Sequence, residues 1–117
     1  MSEFIGEVDL RNCHRVYREG ADYRVDQVNE NREQVVYSYT IPAEAVKYLC
    51  SQLKGRRVTK KEGAAVLKPV ANRFNLPFND DWKLDYYAQE VLVVLVALGQ
   101  AWVNKEGRGY FYTIWRC

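Results

Sequence analysis

Five cations fall within eight residues, Lys54, Arg56, Arg57, Lys60 and Lys61, the densest charge cluster in the chain. Arginine grips phosphate as a bidentate fork and lysine as a point charge, so the cluster suits a nucleic-acid backbone. It suits a solvated helix junction equally well, with Lys54 near a helix C-terminus complementing the dipole. Lys105 and Arg108 flank Gly107 in a stretch that reads as a hairpin tip, where charge and glycine also serve turn geometry and solubility. Trp102, Tyr110, Phe111, Tyr112 and Trp115 could stack on unpaired bases. Core and interface packing is the commoner role of such side chains.

Chemistry beyond binding finds little support. His14 is the single histidine, which excludes two-histidine zinc motifs. A zinc set drawn from Cys13, His14, Cys50 and Cys117 matches by ligand type alone, since no spacing among them is diagnostic. There is no GxxxxGK, GxGxxG or GxSxG motif. Asp80 and Asp81 are adjacent carboxylates, better explained by helix capping than by acid-base catalysis. Cys50 lies on the apolar face of a predicted helix, where a thiol is buried and inert. The expectation is a protein that is not an enzyme and needs no cofactor or metal.

The elements that must position the cations are legible in the patterning. Residues 1 to 41 hold five Arg against eight carboxylates, and residues 42 to 117 hold twelve Lys and Arg against seven, so the basic character is regional. A chain of 117 residues is one domain's worth and can bury roughly two thirds of its unfolded surface. Three cysteines without a CxxC pair read as reduced thiols of a cytoplasmic protein. The longest apolar run, Val91 to Leu98, is eight residues, well short of the roughly 20 that span a bilayer.

Segments 13–18, 23–28 and 34–40 are β-branched and aromatic with turn-like separators, which predicts an antiparallel meander. In the third, Val35, Tyr37 and Tyr39 share one face and Val36, Ser38 and Thr40 the other, with one face wetter than the other. Residues 3–12 lack a clean period and fit a short strand or helix. A helix is expected from Pro42 to Gly55, burying Ala45, Val46, Leu49, Cys50 and Leu53. Thr59-Lys60-Lys61-Glu62 forms a capping box opening a second helix with a stripe of Ala65, Val66, Val70 and Phe74, divided at Pro69. A third helix runs from Trp82 to Leu98, capped by Asn79, Asp80 or Asp81. A buried strand over 91–98 competes with it, but the spacing of Tyr87, Ala88, Val91, Leu92, Leu95 and Leu98 favours helix. A hairpin follows to Ile114. The fold class is α+β, a meander over 1–41 joined to a helical unit with a hairpin over 42–117, as one compact unit.

The order from Pro42, helix, extended Arg56-Arg57-Val58, helix, helix and basic-tipped hairpin, resembles a winged helix-turn-helix domain, best over VLVVLVALGQAWVNKEGRGYFYTI at 91–114. The resemblance implies duplex DNA binding and a regulatory role. The wing would contact phosphate at Lys105 and Arg108, and the second helix start at Thr59, Lys60 and Lys61. The third helix departs from the pattern. Its start carries Asp80, Asp81 and Asp85 against Lys83, and its later turns are apolar nearly all round, leaving few groups to read bases. Such a helix is expected between two layers, the meander or a second subunit. Two readings therefore stand: a DNA-binding protein using Lys54, Arg56, Arg57, Lys60, Lys61, Lys105 and Arg108, or a protein-interaction module that dimerises or docks a partner through Leu92 and Val96.

Overall fold

A computed structural model describes residues 2–29, 31, 33–76 and 81–117, with the side chain of Asp81 excepted. The proposed caps Asn79, Asp80 and Asp81, and with them the adjacent carboxylates, fall outside the described residues and side chains. The architecture is α+β. An antiparallel meander of β1 (Ser2–Asp9), β2 (Cys13–Glu19), β3 (Asp22–Asn29) and β4 (Gln34–Pro42) pairs in chain order. Residues 3–9, without a period in sequence, belong to β1, and a register shift between Phe4 and Gly6 accounts for the lost alternation. Tyr23, Val25 and Gln27 of β3 point inward with His14 and Val16 of β2, while Arg24 and Asp26 pair on the opposite face.

The expected two-faced pattern of β4 holds only at its end. Val35, Val36 and Tyr37 are all exposed, on both faces, because among the described residues no layer covers the start of this edge strand. From Tyr39 the strand reaches the core, and Ile41 is fully buried.

Pro42 then caps α1 (Ala43–Leu53), whose buried side chains are Ala43, Ala45, Val46, Leu49, Cys50 and Leu53. Gly55, at φ 81°, takes the left-handed conformation that ends this turn. Next come β5 (Arg57–Val58) and α2 (Lys60–Leu67). The capping box at Thr59 forms in both directions, with the Glu62 backbone N–H donating to Thr59 Oγ1 and the Thr59 backbone N–H to the Glu62 carboxylate. Pro69 closes α2 and sits in a 3-10 turn, Lys68–Val70. The buried stripe of α2 differs from expectation. Gly63, Ala64 and Leu67 face inward, whereas Ala65 is exposed and Val66 and Val70 are only partly covered. Small residues lie inside because α3 approaches closely: a Cβ on Gly63 would stand 3.4 Å from Leu92 Cδ1 and 3.5 Å from Ala88 Cβ.

The segment from Asp81 to Ala97 is α3, so the helix over 91–98 prevails over the strand. It is followed by β6 (Ala101–Glu106) and β7 (Gly109–Ile114), joined by the two-residue turn Gly107-Arg108 with Gly107 at φ 60°. The short strand β5 pairs with β7, giving the order β5-β7-β6. One core runs through the whole chain, with Val16, Val25 and Ile41 of the meander in the same cluster as Leu49, Leu92 and Ile114.

Residues 91–95 of α3 are buried on every side. The expected interface is therefore corrected at Leu92, which is fully buried against α2 and has no surface to offer a partner, and Val96 is only partly exposed at the core edge. The cover that a second subunit might have supplied comes from within the chain. Among the described residues no helix is long and apolar enough to cross a membrane.

The reading of three reduced thiols is also corrected. Cys50 and Cys117 form a disulfide across 67 residues, and Cys13 alone is a buried free thiol. The end of β7 lies beside the end of α1, with Gly55 N–H donating to the Ile114 carbonyl at 2.7 Å. That pairing brings the last residues over the Cys50 face, a proximity that spacing in sequence does not encode. The bond removes both sulfurs from any zinc ligand set.

Candidate nucleic-acid interface

Glu90 lies mid-way along α3 and is wholly buried, which is costly for a carboxylate unless it is well partnered. Its partners come from the meander. His14 Nδ1 stands 2.8 Å from one carboxylate oxygen, and Gln27 Nε2 donates to the other. His14 and Gln27 are themselves buried and face each other across the β2–β3 ladder. Asn12 Nδ2 in turn donates to Gln27 Oε1 at 3.3 Å, extending the chain of hydrogen bonds toward solvent. With Nδ1 engaged by Glu90, Nε2 is the polar atom of the His14 ring left for another partner.

Tyr112 of β7 completes this polar group. Its side chain is buried, and its hydroxyl has no hydrogen-bond partner among the described residues. Burial first, then the negative charge of Glu90, pushes its phenol well above the ordinary value of 10.0. A phenol is protonated at neutral pH, so the hydroxyl can donate.

His14, Gln27 and Tyr112 form the floor of a cleft of about 430 Å³ between the meander and the helix-hairpin half. Its walls include Tyr86, Tyr110 and Phe111, and its rim carries Arg11, Lys60, Lys61 and Arg108. Lys60 lies 4.3 Å over the Tyr86 ring. A second hollow of about 500 Å³ shares Asn12, Gln27 and Tyr86 with the first and adds Tyr37, Tyr39 and Trp82. Burial, followed by the Glu90 charge, raises the Tyr39 phenol too. The two hollows thus adjoin at Asn12, Gln27 and Tyr86, and both are lined by aromatic rings and cations.

The seven cations singled out in sequence do not form one face. Lys60 and Lys61 open α2 and meet Arg108 from the hairpin turn in the same cleft. Among the described residues none of the three makes an ion pair. Arg57 leaves on the opposite side of β5, stacked 4.1 Å over Phe111 and ion-paired with Glu106. Arg56 pairs with Glu62 at 3.5 Å. Lys105 extends over the Tyr110 ring at 6.0 Å, and Lys54 is exposed at the end of α1, away from the cleft.

Sequence reasoning missed the floor, although two signals were present. Glu90 is the only charged residue between Asp85 and Lys105, inside the most apolar helix. Gln27 occupies the same strand parity as the inward-facing Tyr23 and Val25. A polar side chain in an apolar register marks a buried partner. A scan against protein-family models and searches of curated proteins and of solved structures returned no match for this chain.

Proposed function

We propose that this protein binds nucleic acid through its phosphates, with Lys60, Lys61 and Arg108 as the principal contacts, on a scaffold similar to a winged helix-turn-helix. The observation that carries the reading is the convergence of cations from two distant stretches of sequence on one cleft. The element order and the β5-β7-β6 sheet support the family resemblance, which puts phosphate contacts at the start of the second helix and at the wing. Groove reading by α3 in a duplex has less support, because its central and C-terminal turns are covered by α2 and the meander.

The test is anisotropy of labelled duplex and single-stranded oligonucleotides at low salt, with the salt dependence of affinity as the electrostatic signature. No anisotropy change with either ligand at low salt rejects the proposal.

A protein-interaction role is the second reading, and one observation favours it. Trp102 and Trp115 stack at 5.8 Å on the hairpin sheet, each about half exposed. Exposed paired tryptophans are typical of interface anchors. Light scattering of the wild type beside Trp102→Ser tests self-association through this patch; a strict monomer in both removes the homodimer. A cytoplasmic location belongs to the same proposal and is opposed by the Cys50–Cys117 bond, since the cytosol keeps most structural thiols reduced. Thiol labelling of protein quenched directly from cells decides between them.

A further inference from the structure

We infer that the floor of the cleft is a pocket for one unpaired nucleobase, with Tyr112, Gln27 and His14 reading its polar edge and Lys60, Lys61 and Arg108 holding the adjoining phosphate. This rests on the phosphate-binding reading above and specifies its ligand as single-stranded nucleic acid. The Tyr112 hydroxyl carries the inference. A buried hydroxyl without a partner costs free energy, and here it belongs to a residue that lines an open cleft. A base carbonyl or ring nitrogen is an acceptor of the kind this donor lacks.

The other groups at the floor suit the same ligand. Gln27 and Asn12 supply amides that can meet the mixed donors and acceptors of a base edge. Glu90 does not line the cleft. It acts as a positioning residue, fixing the His14 ring and the Gln27 amide from behind. Tyr86 and Tyr110 supply ring faces for stacking, which a free phosphate or a simple acid would not need. The cleft volume of about 430 Å³ lies within the range of sites that enclose small ligands. The neighbouring hollow, with Tyr37, Tyr39 and Trp82, has the same aromatic character and adjoins the cleft at Asn12, Gln27 and Tyr86. A duplex keeps its bases stacked inside, so only an unpaired or extruded base can reach such a floor.

The experiment is competition. A labelled single-stranded 12-mer is bound at low salt and challenged with each of the four nucleoside monophosphates, with inorganic phosphate and with unlabelled duplex. One or more nucleotides are expected to compete at least about ten-fold better than phosphate, and the single strand better than duplex. Tyr112→Phe should weaken the favoured nucleotide roughly five-fold, the worth of one hydrogen bond, while its melting temperature is unchanged or raised because an unsatisfied hydroxyl is gone. Amide resonances of Gln27 and His14 should move on nucleotide addition and stay still with phosphate. Equal competition by phosphate and nucleotide, preference for duplex, or a Tyr112→Phe variant of unaltered affinity overturns the base pocket while phosphate binding stands. Absence of any oligonucleotide or nucleotide binding removes both. Nucleotide binding without oligonucleotide binding keeps the pocket and removes the polymer.

Discussion

Glu90 meets His14 and Gln27 at a point sealed from water, whereas Glu62 and Glu106 meet Arg56 and Arg57 in the open, with every one of those four side chains about half exposed. The chemistry of the two sets is similar, and the surroundings make them different devices. Water screens the outer pairs and competes for their hydrogen bonds, so they contribute little to stability. What they do is occupy two arginines that sequence density alone would assign to a ligand. Glu90 lacks water to fall back on, so its carboxylate is costly without His14 and Gln27. It ties α3 to two strands of the meander and fixes the polar floor of the cleft.

The largest expected effect follows from removing the centre of the inner group. Glu90→Ala leaves His14 and Gln27 buried without their acceptor, and should destabilise the fold by roughly 3–5 kcal/mol. Urea unfolding measures it as a fall in midpoint at constant slope. A loss under about 1 kcal/mol would mean that the inner group is worth no more than the outer pairs. Alkaline pH probes the same interior. Burial, and then a nearby carboxylate, Asp22 for Tyr87 and Glu90 for Tyr112, lifts both phenols above the ordinary 10.0. An acid raised in the fold favours its neutral form there. The associated stability is complete below about pH 10 and is lost as pH rises through the folded values. Tyrosinate absorbance should therefore show a step coincident with loss of circular dichroism, smaller in Tyr112→Phe. Full ionisation before any loss of structure would contradict the burial argument.

Next in size is the contrast between paired and cleft-facing cations. Reversing Lys60 and Arg108 together to Glu should weaken oligonucleotide binding by at least about ten-fold and reduce the salt slope by about 2. Reversing Arg56 and Arg57 together is expected to change affinity by less than about three-fold, because Glu62 and Glu106 already neutralise them. Equal losses from the two double variants would erase the distinction between cleft and outer face.

The fold was readable because its cues are local. Alternation marked β2, β3 and β4 to within two residues at each end, and the Thr59 box, Pro69 and the glycine after α3 marked the helix ends. The cleft was not readable, because it is made where β2, β3, α2, α3 and the hairpin turn meet, a juxtaposition set by packing. Lys60 and Lys61 were found by their density, Arg108 by the hairpin pattern, yet their union needed the closed fold. Leu92 was misjudged for the same reason, since a helix apolar all round announces that it is covered without saying by what. The Cys50–Cys117 bond likewise depends on where β7 ends beside α1.

The smallest effects test whether the outer pairs are as idle as their exposure implies. Thr59→Ala removes the hydroxyl that accepts from the Glu62 N–H and should cost about 1 kcal/mol, the usual worth of such a cap. Arg57→Ala removes an exposed ion pair and a stacked guanidinium, and should cost less, under about 1 kcal/mol. Chemical unfolding of both variants in parallel gives the ranking. Salt separates the causes further: the Arg57 difference should shrink in 1 M NaCl as screening removes the ion pair, whereas the neutral Thr59 cap should keep most of its value. A loss at Arg57 that exceeds the cap and resists salt would mean that stacking on Phe111, and not the charge pair, holds the outer face of the hairpin sheet.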